Sequence, residues 1–438
     1  MHRTRKAGPV ARRFDNLLNH QAARVRLARV RGVGSPTPHP RRETKMIDAP
    51  PTIQRFEFED RRRKAVEQAK SRGLRGLLVC SRGGGSLDRY GDVKYLTNFY
   101  TPFPCIPDLA ENWSGRGHAF VVLPVDDAPL LVADVPDDGS IALDEDRIRY
   151  GDMVIEGAVD AMRRTGLDKG PIGLVGGDAL PINAFKMIET ALENVEWRDA
   201  QDILTGLRAI KSPTEIALLR HAAGTGSRMI EAMMEAAGPG ARHGEIVAAG
   251  LQVLVPAGGI LYNSFMASGR GGDDPVYVKS NFPTWASNQP LAEGYWLRLG
   301  ISGVVEGYYF DVSRSKAIGA PTNRQVDLFE AAIDCVEAGI GACKAGATAE
   351  QIAGAGLDKQ KSLGYDIKGV FSGLGHGIGL GWDAPWLVPG ETLEIQPNMV
   401  LNFERTIQHE GFLGDFEETV LVTRDGPEKL TDAKLRYW

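Results

Sequence analysis

From Phe56 the run FEDRRRKAVEQAKSRG carries apolar positions at helical spacing and stops at Gly73, so a helix is predicted there, with LRGLLVC after it as a short buried strand. VKYLTNFYTP, HAFVVLP and APLLVADVP read as further apolar strands, separated by Pro, Gly and Asp turns. Helices are predicted over 152–164 and 182–192, with the strand-like PIGLVGG between them. Strands alternating with helices across 51–205 predict a self-contained α/β domain.

The next segment, LRAIKSPTEIALLRHAAGTGSRMIEAMMEAAGPG, opens a long amphipathic helix. Ser212 is placed to cap it, Pro213 sits at its first position and Glu215 completes a capping box, which marks a domain boundary. Beyond it the pattern changes to helices interleaved with longer strands: YWLRLGIS, EGYYFDVSRSKAIG, MVLNFERTI and FEETVLVT. Strands spaced by two or more helices predict an antiparallel or mixed sheet with helices on one side, an α+β layout over 206–438.

Composition narrows the function classes. At 438 residues, with 43% hydrophobic and 24% charged residues, the chain has the balance of an ordinary globular protein of about two to three domains. The net charge of -5 gives no reason to expect nucleic acid or an anionic membrane as partner. No apolar run reaches the ~18 residues of a spanning helix, and Cys80, Cys105, Cys335 and Cys343 have no CxxC spacing, so a cytoplasmic location is expected, without a disulfide framework or a zinc site. Residues 1–50 differ: their basic residues, from Arg3 to Lys45, face only Asp15, Glu43 and Asp48. A presequence and a nucleic-acid arm are open readings, and a disordered basic extension ahead of Met46 is the favoured one.

Candidate chemistry comes from polar residues that interrupt the apolar strands. Asp311 lies in GYYFDVSRS, Glu404 in VLNFERTI and Glu417 in DFEETVLV. A carboxylate in such company is costly to bury unless it meets a cation, a proton or several donors. Each alone has a plain alternative, facing solvent or pairing with Arg314 or Arg405. His376 in GLGHGIGLGWDAP shifts the balance, because the surrounding glycines let backbone bend tightly around the imidazole. His with Asp and Glu is a ligand set suited to manganese, iron, zinc or cobalt.

Taken in order, the run from Gly375 through His376 to Gly379, Pro385, PNMVLNFE, FEETVLVT, Gly426 and the Leu430–Thr431 pair resembles the pita-bread family. That family includes Xaa-Pro aminopeptidases, prolidases, creatinase, ectoine hydrolase and a lyase acting on dimethylsulfoniopropionate. LRAIKSPTEI is similar to its domain-joining helix and VKYLTNFYTP to a strand and loop of its N-terminal domain, so the resemblance runs from about Phe56 to the end. It implies a creatinase-type N-terminal domain before a pita-bread catalytic domain, and hydrolysis of a C–N bond.

Metal-dependent members use two aspartates, a histidine and two glutamates. The second aspartate falls on Asp311, the histidine on His376 and the glutamates on Glu404 and Glu417, whereas the first aspartate falls on Gly300, or on Arg298 if the strand is shifted. The histidine expected after Ser268 and Gly269 is absent, with Asp273 and Asp274 nearby, and the later substrate-side histidine appears as Asp383. Losing a bridging carboxylate argues against a full dinuclear centre. Two readings stay open: a single divalent ion held by Asp311, His376, Glu404 and Glu417, or none, as in creatinase and ectoine hydrolase.

Without metal, His376 is the natural general acid or base, and Glu404 and Glu417 grip nitrogen groups of the substrate. Asp383, Asp273 and Asp274 lean toward a small cationic, amidino or guanidino substrate, or are loop caps. The competing classes are an Xaa-Pro peptidase with an altered centre, a lyase on a sulfonium substrate, and an inactive binding protein. The resemblance also implies a homodimer in which a loop bearing Phe99, Tyr100, Trp113 and Arg116 covers the partner's site, unless these residues serve ordinary interface packing.

Overall fold

The first predicted helix is α1 (Arg55–Ser71), followed by β1 (Gly76–Arg82), in a computed structural model that describes residues 50–83, 89–101, 103–104, 106–136, 139–276, 290–367 and 371–438. The basic extension and Cys105 lie outside the described residues. Next come α2 (Gly91–Thr97), β2 (His118–Pro124), β3 (Leu130–Ala133), β4 (Ile148–Tyr150), α3 (Val154–Arg164), β5 (Lys169–Val175), α4 (Ile182–Ala191), β6 (Asn194–Asp199) and α5 (Gln201–Ala209). The strands form one mixed sheet in the order β4-β3-β2-β1-β5-β6. Strand alternation gives it two apolar faces: Leu77, Val79 and Val121 join α1 in one core, while Leu78, Phe120 and Val132 join α3 and α4 in another.

VKYLTNFYTP is not a strand. Its first part is α2, and the reason is tertiary. Arg61 and Arg62 of α1 donate to the terminal carbonyls of Tyr95 (3.1 Å) and Leu96 (2.6 Å), and Asn98 ends the helix in the left-handed region at φ 64°. Those partners satisfy a helix end that the β-branched and aromatic residues alone would not favour.

The second half opens with α6 (Pro213–Ala236), whose capping box forms as predicted: Ser212 Oγ accepts from Glu215 N (3.1 Å), and the Glu215 carboxylate accepts from Ser212 N (3.0 Å). After it come α7 (His243–Leu254), β7 (Ile260–Gly269), β8 (Trp296–Val305), β9 (Tyr308–Ala317), α8 (Asn323–Ala342), α9 (Ala349–Ser362), β10 (Gly375–Ile378), β11 (Trp382–Leu387), β12 (Val400–His409), β13 (Phe412–Thr423) and β14 (Gly426–Lys429). They build two antiparallel sheets, β7-β8-β9 and β11-β10-β12-β13-β14. Helix α6 packs on β8 and β9, and α8 packs on β12 and β13, each over its own apolar core. The sheets meet where β9 lies against β13, with Thr419 Oγ1 donating to the Asp311 carbonyl at 3.2 Å. Among the described residues, no helix is long and apolar enough to cross a membrane.

Candidate active site

His376 sits in β10 between β11 and β12, and glycines on either side make that placement possible. Gly375 has φ 145°, and a Cβ there would run into the Asn402 carbonyl, while one on Gly377 would strike the Ala384 carbonyl. The imidazole is buried. Its Nδ1 donates to the Gly377 carbonyl at 2.9 Å, which turns Nε2 toward Asp311 Oδ2 (3.7 Å) and Glu404 Oε1 (4.0 Å). The rings of Trp382 and Trp386 flank it, with centroids 5.5 and 5.2 Å away.

Glu404 and Glu417 are direct cross-strand partners on β12 and β13, so their carboxyls lie side by side. Two residues before Glu417, on the same face, Asp415 accepts from Thr406 and from Arg298 Nε, the latter at 2.6 Å. Arg298 also donates through Nη1 to the Phe265 carbonyl (2.9 Å) and lies 5.6 Å from the Phe265 ring. Gly300 is two residues along β8, on the same face as Arg298, and a Cβ built on it would meet the guanidinium at 3.1 Å. Both positions considered for the missing aspartate are thereby placed: Gly300 offers no ligand, and Arg298 fills the space above it.

Charge in the cluster is strongly coupled. Burial disfavours the His376 imidazolium, but the nearby carboxylates of Asp311 and Glu404 outweigh it and raise its pKa. Burial raises the pKa of Glu404, against the pull of His376, and Asp311 and Asp415 push it further up. Burial with Asp311 and Glu404 beside it carries Glu417 well above the usual carboxyl range, and its Oε2 has no hydrogen-bond partner among the described residues. Glu404 still reaches solvent, with 27% of its side chain exposed. Arg314 and Arg405 neutralise none of these carboxylates: Arg314 pairs with Glu418 (2.9 Å), and Arg405 binds Gln360 (2.5 Å) and the Gly373 carbonyl (2.9 Å).

The structure brings together Asp311, His376, Glu404 and Glu417, and places Asp383 on the cavity beside them, with Asp273, Asp274, Phe99 and Arg116 in other contacts. Asp383 is held by Arg208 Nη2 at 2.5 Å, and Arg208 Nη1 binds Asp92 at 2.7 Å. Asp273 is exposed on a turn, and Asp274 caps that turn by accepting from Arg270 N at 3.1 Å, which is the loop-cap alternative. Phe99 does not reach outward: it is 1% exposed in the core beneath α1 and α2. Arg116 pairs with Asp152 (2.8 Å) and stacks 5.0 Å from Phe103. A cavity of about 560 Å³ lies beside the cluster, lined in part by Tyr90, Tyr262, Tyr309, Arg208, Asp383 and the two tryptophans that flank His376. Asp415, Arg298, Trp382 and Trp386 were not singled out from the sequence as site members. Two-residue strand spacing from Glu417 was the available signal for Asp415.

A family model described as metallopeptidase family M24 matches residues 217–424, and one described as the creatinase/prolidase N-terminal domain matches residues 61–210. The chain belongs to the pita-bread family. It is similar to the hydrolase/peptidase y4tL of Sinorhizobium fredii, 26% identical over 88% of this chain and 97% of that protein. The ectoine hydrolase of Halomonas elongata is 24% identical over 88% of this chain and 98% of its own length. Among solved structures, the dipeptidase PepE of Mycobacterium ulcerans superposes with a TM-score of 0.70 at 23% identity, covering 88% of this chain and all of that one. Membership makes this pita-bread protein a hydrolase acting on C–N bonds.

Divalent metals are typical of the family. The residues present do not fit its two-metal centre. Of the two positions where the first aspartate could fall, Gly300 offers no ligand and Arg298 is a cation, with its guanidinium 3.1 Å from where a Cβ on Gly300 would sit. Two divalent cations need bridging carboxylates to offset their repulsion, and here a permanent cation occupies that ground.

Proposed function

We propose that the chain hydrolyses a C–N bond in a small cationic, amidino or guanidino substrate, without the two-metal chemistry of the family's peptidases. The observation that carries this reading is the Arg298 guanidinium over Gly300. Glu404, partly exposed and with its pKa raised by burial, is the base for an attacking water. The water oxygen bonds to the substrate carbon as the pair of its C=O or C=N double bond moves onto that oxygen or nitrogen, and the water proton passes to Glu404; the pair then returns as the leaving nitrogen departs. His376, whose raised pKa favours imidazolium, then protonates the nitrogen as the C–N bond breaks.

Support for a cationic substrate comes from Trp382 and Trp386, whose rings flank the imidazole beside a cluster of carboxyls, an environment that attracts positive charge. The family likeness supports a homodimer acting on a small molecule. The ectoine hydrolase likeness over nearly the whole chain supports a non-peptidase substrate, whereas the Xaa-Pro dipeptidase of Pyrococcus furiosus matches over only 57% of this chain.

The test is release of ammonia or amine from amidines, ureas, lactams, betaines and Xaa-Pro dipeptides by the full chain, with and without a chelator. Turnover of a non-peptide compound that persists in chelator is expected. Xaa-Pro cleavage that chelator abolishes would overturn the reading.

A further inference from the structure

We propose that Arg298 is the resident cation of this centre, taking the electrostatic part that the second metal ion plays in a two-metal centre and keeping that second divalent ion out. The inference rests on reading the carboxylate cluster as the reaction centre. Its test reads metal and stability rather than turnover, so the two ideas fail separately.

Three features of the geometry converge on this assignment. First, Gly300 gives the guanidinium its room, because a Cβ there would meet it at 3.1 Å and any larger side chain would press on it further. The glycine and the arginine are therefore one steric unit, two residues apart on one strand face. Second, the side chain is fixed. Asp415 holds Nε at 2.6 Å, the Phe265 carbonyl holds Nη1 at 2.9 Å, and the Phe265 ring lies against the guanidinium at 5.6 Å. Phe265 is also the register partner of Gly300, so the anchor is the strand next door rather than a mobile loop. Third, the charge is placed where it is needed. Asp415 pairs directly with Arg298, and the carboxyls of Glu417 and Glu404 follow it along the same face of β12 and β13.

A guanidinium cannot be deprotonated at working pH and cannot be removed by a chelator. It neutralises its carboxylate neighbours permanently, and it repels an incoming dication at the place where a bridging carboxylate would have drawn one in. A carboxylate restored at position 300 alone would meet Arg298 first and be consumed as an ion pair.

The experiment uses Mn²⁺ alone as probe on the full chain. Stoichiometry is read by elemental analysis after dialysis, affinity by calorimetry, and melting temperature with and without MnCl₂. The parent and Gly300→Asp are expected to show no second ion and no Mn²⁺-dependent rise in melting temperature. The paired change Arg298→Ala with Gly300→Asp is expected to bind Mn²⁺ about 10- to 100-fold more tightly than the parent, the range over which groups around a metal tune its affinity, and to melt higher when Mn²⁺ is added. Two Mn²⁺ ions bound per parent chain would overturn the proposal, as would a paired variant that gains nothing. If the paired variant does not fold, Arg298→Gln decides: it keeps an amide donor and removes the charge, so Mn²⁺ affinity must rise, and unchanged affinity refutes the assignment.

Discussion

Arg314 is fully buried, and replacing it with alanine should be among the most damaging single changes in the catalytic half. Its guanidinium donates to Glu418 Oε1 (2.9 Å) and to the carbonyls of Glu417 (2.6 Å), Ser313 (2.9 Å), Lys434 (2.9 Å) and Ala433 (3.2 Å), and it stacks 4.5 Å from the Phe416 ring. One side chain thus ties β9, β13 and the C-terminal segment together. Removing one partner of a buried ion pair costs ~3–5 kcal/mol, because the other charge is left unpaired. At ~2–4 °C per kcal/mol for a domain of this size, the melting temperature should fall by roughly 6–20 °C.

The unpaired charge can be isolated. Burial already raises the Glu418 pKa against the opposing pull of Arg314, so losing Arg314 should raise it further. A carboxyl whose folded pKa lies above its unfolded one binds more protons in the native state, so the deficit of Arg314→Ala should shrink as pH falls through the folded Glu418 pKa. Adding Glu418→Gln should recover part of the loss at neutral pH, giving a double variant less damaged than the two single effects combined. The assay is urea and thermal denaturation of the four proteins at two pH values. A melting temperature for Arg314→Ala indistinguishable from the parent's, or strictly additive single and double variants, would refute the reasoning.

His376→Ala should lower turnover of any substrate found in the amine-release screen by ~10² to 10⁴, the usual worth of an acid–base group, and a loss under about tenfold would remove it from the mechanism. Gly375→Ala should unfold or distort the site, because the new methyl group collides with the Asn402 carbonyl at a φ of 145°; near-UV circular dichroism matching the parent's would contradict this. Burial, with Arg82 nearby, holds His118 below its ordinary value of 6.5. A depressed imidazole stabilises the fold above the unfolded pKa and loses that contribution as pH falls toward the folded one, so urea midpoints should drop on acidification below about pH 6.5. His118→Asn should flatten that slope, and an unchanged slope would count against the assignment.

Much of the fold was legible in local signals. The Ser212, Pro213 and Glu215 motif marks the start of α6 because capping chemistry is local. Asp311, Glu404 and Glu417 stood out because ionisable residues in apolar strands carry a desolvation cost. The segment leading into Phe99 was misread because its helix is secured by Arg61 and Arg62, some 34 residues earlier in the chain. The surroundings of the aspartates at 274 and 383 are not legible in sequence, since Asp274 caps its own turn and Asp383 meets Arg208, which lies 175 positions away. In sequence Arg298 shows only as a residue unable to ligate a metal. Its direction along β8, over the neighbouring glycine, belongs to three-dimensional packing.

The bridge Asp92–Arg208–Asp383 has a bearing on how such a protein can change over generations. One guanidinium serves an aspartate from the N-terminal half and another from the strand beside His376. A lineage altering any one of the three would leave a buried charge stranded and come under pressure to alter the others. Residues 92, 208 and 383 are therefore expected to drift as a set, so that a change of specificity at the tryptophan wall next to Asp383 would leave its trace in a helix of the other half.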